Sequence, residues 1–187
     1  LIWTVTWSPD GTKLATACGD KTAIIWSAAT AEKILTLKGH TAGLLTGSWS
    51  PDGTKILTGS WDSTACIWSA VSGTKLITLG SNGGIRKALW SPDGASIVTA
   101  GISPEVIVWS AVSGLQHYTL TGHSESIREV AWSPDGTQIA TAGTDRSAKL
   151  WYSAQSTSVR EDDGTRVSLE ILPQPADEEI TVRRAES

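Results

Sequence analysis

The chain has no methionine and no phenylalanine, and only two cysteines, two tyrosines and three histidines in 187 residues. Each shortage removes an option. Cys18 and Cys66 have neither Cys-x-x-Cys spacing nor the regular spacing of a disulfide framework, so they are expected as reduced thiols of an intracellular protein, cytoplasmic or nuclear. No apolar run approaches the roughly 20 residues that cross a bilayer, and the N-terminus lacks the pattern of a signal peptide. Without a methionine, Leu1 is no translation start, and the chain is expected to be a fragment of a longer protein. Excess basic charge is also missing. The net charge of −4 comes from residues 160–187, which hold eight acids against four arginines, while the preceding 159 residues carry 11 of each sign. No basic field exists to collect nucleic acid or an anionic membrane, so neither is expected as a partner.

What the chain does have is tryptophan, ten of them, and a repeated hexapeptide. Trp7-Ser8-Pro9-Asp10-Gly11-Thr12 recurs at 49–54, at 90–95 with Ala95 last, and at 132–137, at spacings of 42, 41 and 42 residues. Pro presets φ near −65°, Asp bonds the backbone of its own turn, and Gly supplies the positive φ that ends it, so each copy reads as a hairpin turn. Runs of β-forming residues flank it: 2–7, 44–49, 85–90 and 127–132 before it, and 13–18 with its equivalents after it. A third run follows at 23–26, 65–68, 106–109 and 148–151, and a fourth at 34–38, 75–79 and 117–121. Four strands per period of roughly 40–45 residues are the signature of propeller blades, sheets that stack because none can bury both faces alone. The expected fold is an all-β propeller of four-stranded antiparallel blades at about 1–38, 41–79, 82–121 and 124–159. These four blades are expected to form an open arc, with a self-closed four-blade ring or a paired dimer as alternatives.

Gly39-His40, the Trp-Ser-Pro-Asp-Gly turn, Asp62 and Trp68, at these distances, resemble the WD-repeat (WD40) family of β-propellers over residues 1 to about 155. The Trp-Asp dipeptide that names the family is absent, since Trp26, Trp68 and Trp109 precede Ser and Trp151 precedes Tyr152. His40, Thr58, Asp62 and Trp68 recur at the same spacing as His123, Thr141, Asp145 and Trp151. The resemblance implies that each set is a structural tetrad: Asp orients His, His bonds the Thr hydroxyl, and that hydroxyl accepts the Trp indole N–H. Repeat three keeps Thr99 and Trp109 but has Ser81 and Ser103 where His and Asp are expected, which predicts a looser loop over 102–105. Repeat one keeps Thr16, Asp20 and Trp26.

Asp-His-Thr also has the order of a nucleophilic triad, but a hydroxyl occupied by an indole and copied blade by blade suits architecture better than catalysis. The segment 122–126 lacks the final Gly of a nucleophile elbow, and the Gly-rich 80–84 lacks the Lys and spacing of a phosphate-binding loop. With two of three histidines in tetrads, no metal cluster remains. No catalytic residue, metal or cofactor is expected.

WD-repeat proteins are mostly non-enzymatic platforms for peptides or domains, so the resemblance implies a protein-interaction scaffold. An accessory propeller attached to an enzyme encoded outside this chain is the alternative. Eight tryptophans are repeat positions, which leaves Trp3 and Trp61. By the resemblance both open onto the face that holds the loops from fourth strand to first and from second to third, commonly called the top. Leu45, Arg86 and Arg128 share the repeat position of Trp3, and Ile102 shares that of Trp61. Trp and Arg are enriched at binding hot spots, so these six residues are the candidate site for a protein or peptide partner. Packing of the two indoles between blades is the competing reading. Further partners are the remaining blades of a full-length chain, or a second copy. Beyond the blades, 160–187 reads as an acidic extension with one strand over 166–172, possible as the fourth blade's outer strand, followed by linker or disorder.

Overall fold

The computed structural model of the chain describes residues 1–153 and two further strands, Ser168–Pro173 and Glu178–Arg183. The described residues form four antiparallel sheets and contain no helix. The first blade is β1 (Ile2–Trp7), β2 (Lys13–Cys18), β3 (Thr22–Ser27) and β4 (Lys33–Lys38), paired in chain order. The second is β5 (Leu44–Trp49), β6 (Lys55–Ser60), β7 (Thr64–Ser69) and β8 (Lys75–Gly80). The third is β9 (Ile85–Trp90), β10 (Ser96–Gly101), β11 (Val106–Ser110) and β12 (Gln116–Leu120). The fourth begins with β13 (Ile127–Trp132), β14 (Gln138–Gly143) and β15 (Ala148–Tyr152).

Each hexapeptide closes the first hairpin of its blade. In blade one the Ser8 hydroxyl donates to Asp10 Oδ1 (2.5 Å), the Thr12 N–H donates to the same oxygen (3.0 Å), and Gly11 has φ of 69°. Gly53, Gly94 and Gly136 sit at φ of 69°, 72° and 72°, so one turn geometry serves all four blades. These bonds hold the carboxyls of Asp10, Asp52 and Asp135 down at about 2.

Alternation along each strand gives every sheet two apolar faces, and the blades bury them pairwise. Ala15, Ala17, Ala23, Ile25 and Leu37 of the first blade meet Leu44, Trp49, Ile56, Cys66 and Trp68 of the second. Leu57, Ile67 and Leu79 meet Ile85, Ala88, Trp90, Ile97 and Trp109 at the second junction. Val98, Ala100, Val106, Val108 and Leu120 meet Ile127, Val130, Ile139 and Trp151 at the third. The arc is open: among the described residues the first and fourth blades do not pack together, and the outward face of β1 leaves Ile2, Val5 and Trp7 60%, 65% and 60% exposed.

The fourth blade departs from the expectation at its outer edge. β17 (Glu178–Arg183) occupies the place beside β15, with Leu150 opposite Ile180, and β16 (Ser168–Pro173) pairs outside it as a fifth strand. A strand was expected over 166–172 and linker beyond; residues 166 and 167 lie outside the described set, and the segment expected as linker supplies the inner of the two strands. Glu179-Ile180-Thr181-Val182 is rich in β-branched residues, a strand signal that the surrounding acids and Pro173 and Pro175 obscure in sequence.

Candidate interaction face

Two tetrads are assembled as continuous hydrogen-bonded chains. The Trp68 indole N–H donates to Thr58 Oγ1 (2.8 Å), Thr58 Oγ1 and His40 Nε2 lie 2.8 Å apart, and His40 Nδ1 lies 2.9 Å from Asp62 Oδ2. One proton arrangement satisfies every member: a neutral imidazole protonated on Nδ1 donates to the carboxylate and accepts the threonine proton on Nε2. Burial lowers the His40 pKa against the opposing pull of Asp62, consistent with that neutral form. Asp62 also accepts the N–H groups of Thr41 (2.8 Å) and Thr64 (3.0 Å), which pins the loop ahead of β5 to the turn ahead of β7. Although burial pushes its carboxyl up, the hydrogen bonds from the Thr64 hydroxyl (2.6 Å), the Thr41 N–H and His40 outweigh it and hold the group well below the usual carboxylate range.

The fourth blade repeats the geometry with Trp151 to Thr141 (2.9 Å), Thr141 to His123 (2.8 Å) and His123 to Asp145 (2.8 Å). Thr58 and Thr141 are buried and occupied by the indole, so neither hydroxyl faces a substrate. Among the described residues, no group of three or more His, Cys, Asp and Glu is placed to hold a metal ion.

The first and third blades keep only the Trp-Thr link, from Trp26 to Thr16 (2.9 Å) and from Trp109 to Thr99 (2.8 Å). In the third blade the difference reaches the backbone. Lys21, Ser63 and Arg146 have φ of 75°, 65° and 66°, and the equivalent position holds Pro104, whose ring excludes positive φ. The loop over 102–105, expected to be looser, is tied differently: Asn82 donates to Glu105 Oε2 (3.1 Å), and the Glu105 N–H donates to Ser103 Oγ (3.3 Å).

Above the tetrads, the pairing of first and second strands slips once in every blade. Ile2 and Thr4 pair with Cys18 and Ala17, which skips Trp3. The same slip skips Leu45, Arg86 and Arg128. Each of these residues is thus the extra residue of a β-bulge, a device that turns a side chain out of the sheet's alternation. A backbone bond flanks every bulge, from Gly19 to Leu1 (2.8 Å), Trp61 to Gly43 (3.0 Å), Ile102 to Gly84 (3.0 Å) and Thr144 to Ser126 (2.9 Å). The donors belong to the loops between the second and third strands of each blade, Trp61 and Ile102 among them.

Not all six candidate residues touch. The Arg86 guanidinium lies over the Trp61 ring at 5.4 Å from the centroid, a cation–π contact across the second junction. Gly84 makes room for that indole, since a Cβ there would lie 2.7 Å from Trp61 Cε3. Ile102 covers Gly83 at 3.3 Å from the equivalent Cβ position. Trp3 lies instead against its own blade, with Nε1 3.4 Å from a Cβ at Gly19. Leu45 is half-buried and Arg128 exposed. Trp3, Trp61 and Ile102 remain 53%, 46% and 39% exposed; Trp61 packs in part between blades, against Gly84 and Arg86 of the next one, and Trp3 lies against its own. Sequence reasoning missed two residues that set this surface, Gly84 and Asn82. Aligning each loop between second and third strands with the next blade's entry loop places Gly84 beside Trp61, which was the available signal.

Stacked four-stranded blades with Trp-Thr-His-Asp chains and Pro-Asp-Gly turns define an open β-propeller arc of the repeat class. The family described as WD domain, G-beta repeat (WD40) matches residues 2–27, 31–69 and 114–152, and the chain belongs to that family. Most of the third repeat falls outside these segments, the repeat with Ser81, Ser103 and Pro104 at the discriminating positions. No curated protein sequence matches the chain. WD40 repeats are generally protein-interaction scaffolds and typically non-catalytic.

Proposed function

We propose that this chain is a non-catalytic scaffold that binds a peptide or protein domain on its top face through Trp3, Leu45, Trp61, Arg86, Ile102 and Arg128. The observation that carries this reading is the bulge repeated in all four blades: it turns one residue per blade out of the ladder, and those residues are Trp, Leu, Arg and Arg. A rigid ladder that presents variable side chains at one level supplies preorganised contacts, and exposed Trp with adjacent Arg has the composition of an interface hot spot. A reducing compartment, cytoplasmic or nuclear, suits the two unpaired thiols Cys18 and Cys66.

Selection of a random peptide library on the immobilised chain tests the proposal. Selected peptides should bind the Trp3→Ala/Trp61→Ala double variant at least about 30-fold more weakly, as expected for two hot-spot residues. Undiminished binding by a variant with native circular dichroism and unfolding midpoint would overturn it.

A further inference from the structure

The second junction carries a pair of residues that the other two lack. Trp61 and Arg86 meet across it, while the same repeat positions hold Gly19 and Leu45 at the first junction and Ile102 and Arg128 at the third. Those two junctions bury their cores with no aromatic ring beside a cation, so the pair is not what stacks the blades. The blades on both sides of Arg86 belong to the chain.

Arg86 is positioned but has no counter-ion. It is the bulge residue of β9, half-buried, with its guanidinium over the Trp61 ring at 5.4 Å from the centroid. Its Nε is buried without a hydrogen-bond partner, and its side chain makes no hydrogen bond or ion pair with the described residues. The acids of the adjoining loops and strands are engaged elsewhere. Asp62 takes the His40 imidazole and the Thr41 and Thr64 N–H groups, Glu105 accepts from Asn82 (3.1 Å), and Glu129 pairs with Lys87 (2.9 Å). A partly desolvated charge without a partner is costly, and it gains most from an anion brought to it. Stacking on an indole orients the guanidinium plane, and with Nε covered the two terminal nitrogens are the donors left for a ligand. Two N–H groups in one plane match the two oxygens of a carboxylate.

We propose that the top face selects an acidic peptide: the carboxylate of an Asp or Glu side chain in the partner takes the two terminal nitrogens of Arg86, with Trp61 as the apolar wall beside it. The proposal rests on the top-face reading and adds the partner's chemistry to it. Trp3 and Leu45 belong to the blades on one side of Arg86 and Arg128 to the blade on the other. A segment that spans the site therefore passes Arg86 in both directions, and its acid is a side chain rather than a chain terminus. Arg128, exposed and also without an ion pair to the described residues, adds positive charge at the same repeat position.

Peptides selected from a random library on the immobilised 187-residue chain, then synthesised with free and with amidated C-termini, are the test. The selected sequences should share an Asp or Glu, and its change to Asn or Gln should weaken binding by about 10- to 100-fold, as expected for hydrogen bonds to a charged group. Arg86→Gln should cost the same, and the two changes together little more than either alone. Arg86→Lys keeps the charge without the planar fork and should retain only part of the affinity. Should Arg86→Gln fail to fold, Arg86→Lys closes the same cycle. Peptides that depend on Trp3 and Trp61 but share no acid, bind Arg86→Gln undiminished, lose affinity additively in the cycle or bind only with a free C-terminus overturn the acidic anchor and leave the top-face reading standing. Binding indifferent to both tryptophans, or a library that yields no binder, overturns that reading and the proposal with it.

Discussion

Arg86 rests its guanidinium on the ring of Trp61, 5.4 Å from the centroid, although the two residues belong to different blades. The indole fits there because Gly84 carries no side chain: a Cβ would lie 2.7 Å from Trp61 Cε3. Gly84→Ala should therefore cost about 1–3 kcal/mol by overpacking, and far less in a Trp61→Ala background. A double-mutant cycle on urea unfolding measures the difference. Equal costs in both backgrounds would disconnect Gly84 from the indole.

Thr58 and Thr99 occupy the same place in the second and third blades, yet they carry different loads. Thr58→Val removes the acceptor of the Trp68 N–H and the partner of His40 Nε2 together, and is expected to cost about 3 kcal/mol. At Thr99 only the Trp109 indole loses its acceptor, and Thr99→Val should cost about 1–2 kcal/mol. Thr58→Ser keeps the hydroxyl and should recover most of the loss. Chemical denaturation of the three variants provides the comparison, and equal losses at the two sites would show that the histidine link adds nothing.

Acid should weaken the fold in two stages. His40 titrates below its ordinary 6.5 because burial disfavours the imidazolium. Below pH 6.5 the unfolded chain thus binds the proton more tightly than the folded one, and stability that is complete above that value declines as the pH falls. Burial raises the Asp145 carboxyl, but the hydrogen bonds from Ser147, His123 and Ser124 prevail and hold it at about 2. Its contribution is complete above about 3.8, the value of an unfolded aspartate, and is lost as the pH falls through about 2. Unfolding midpoints from pH 7.5 to 2.5 should show both declines, and His40→Gln should remove most of the upper one. Constant stability between pH 7 and 5 would contradict the neutral, buried imidazole.

The turn ahead of β7 offers a test of backbone strain. Ser63 holds φ of 65°, which an L residue adopts at a cost of roughly 1–2 kcal/mol. Ser63→Gly should stabilise the chain by about 0.5–1 kcal/mol, whereas Ser63→Pro, which imposes the φ of Pro104, should cost at least about 3 kcal/mol. Thermal unfolding of the pair decides, and a tolerated proline would mean that this turn changes shape freely.

Local chemistry made much of the fold legible in the amino-acid order. Trp-Ser-Pro-Asp-Gly specifies its own turn through bonds within six residues, and the tetrad spacing follows because the turn fixes the strand lengths around it. The fourth blade's edge was not legible, because the pairing of β17 rather than β16 with β15 joins segments separated by a long connection. The bulges escaped for a different reason. A one-residue slip leaves no mark in composition, and only the neighbouring strand reveals that Trp3, Leu45, Arg86 and Arg128 stand outside the ladder. The seat of Trp61 over Gly84 depends on two blades at once, which no single repeat contains.

Those four slipped positions separate two kinds of selection. Residues within the ladder answer to the neighbouring strand and blade, so a change there is tested first by folding. A residue skipped by the pairing has no cross-strand partner to satisfy, and its identity can drift among tryptophan, leucine and arginine while the register on either side stays fixed. On the proposed top-face reading, such a propeller acquires a new ligand preference one blade at a time, with the blades already in place acting as an unchanged ruler.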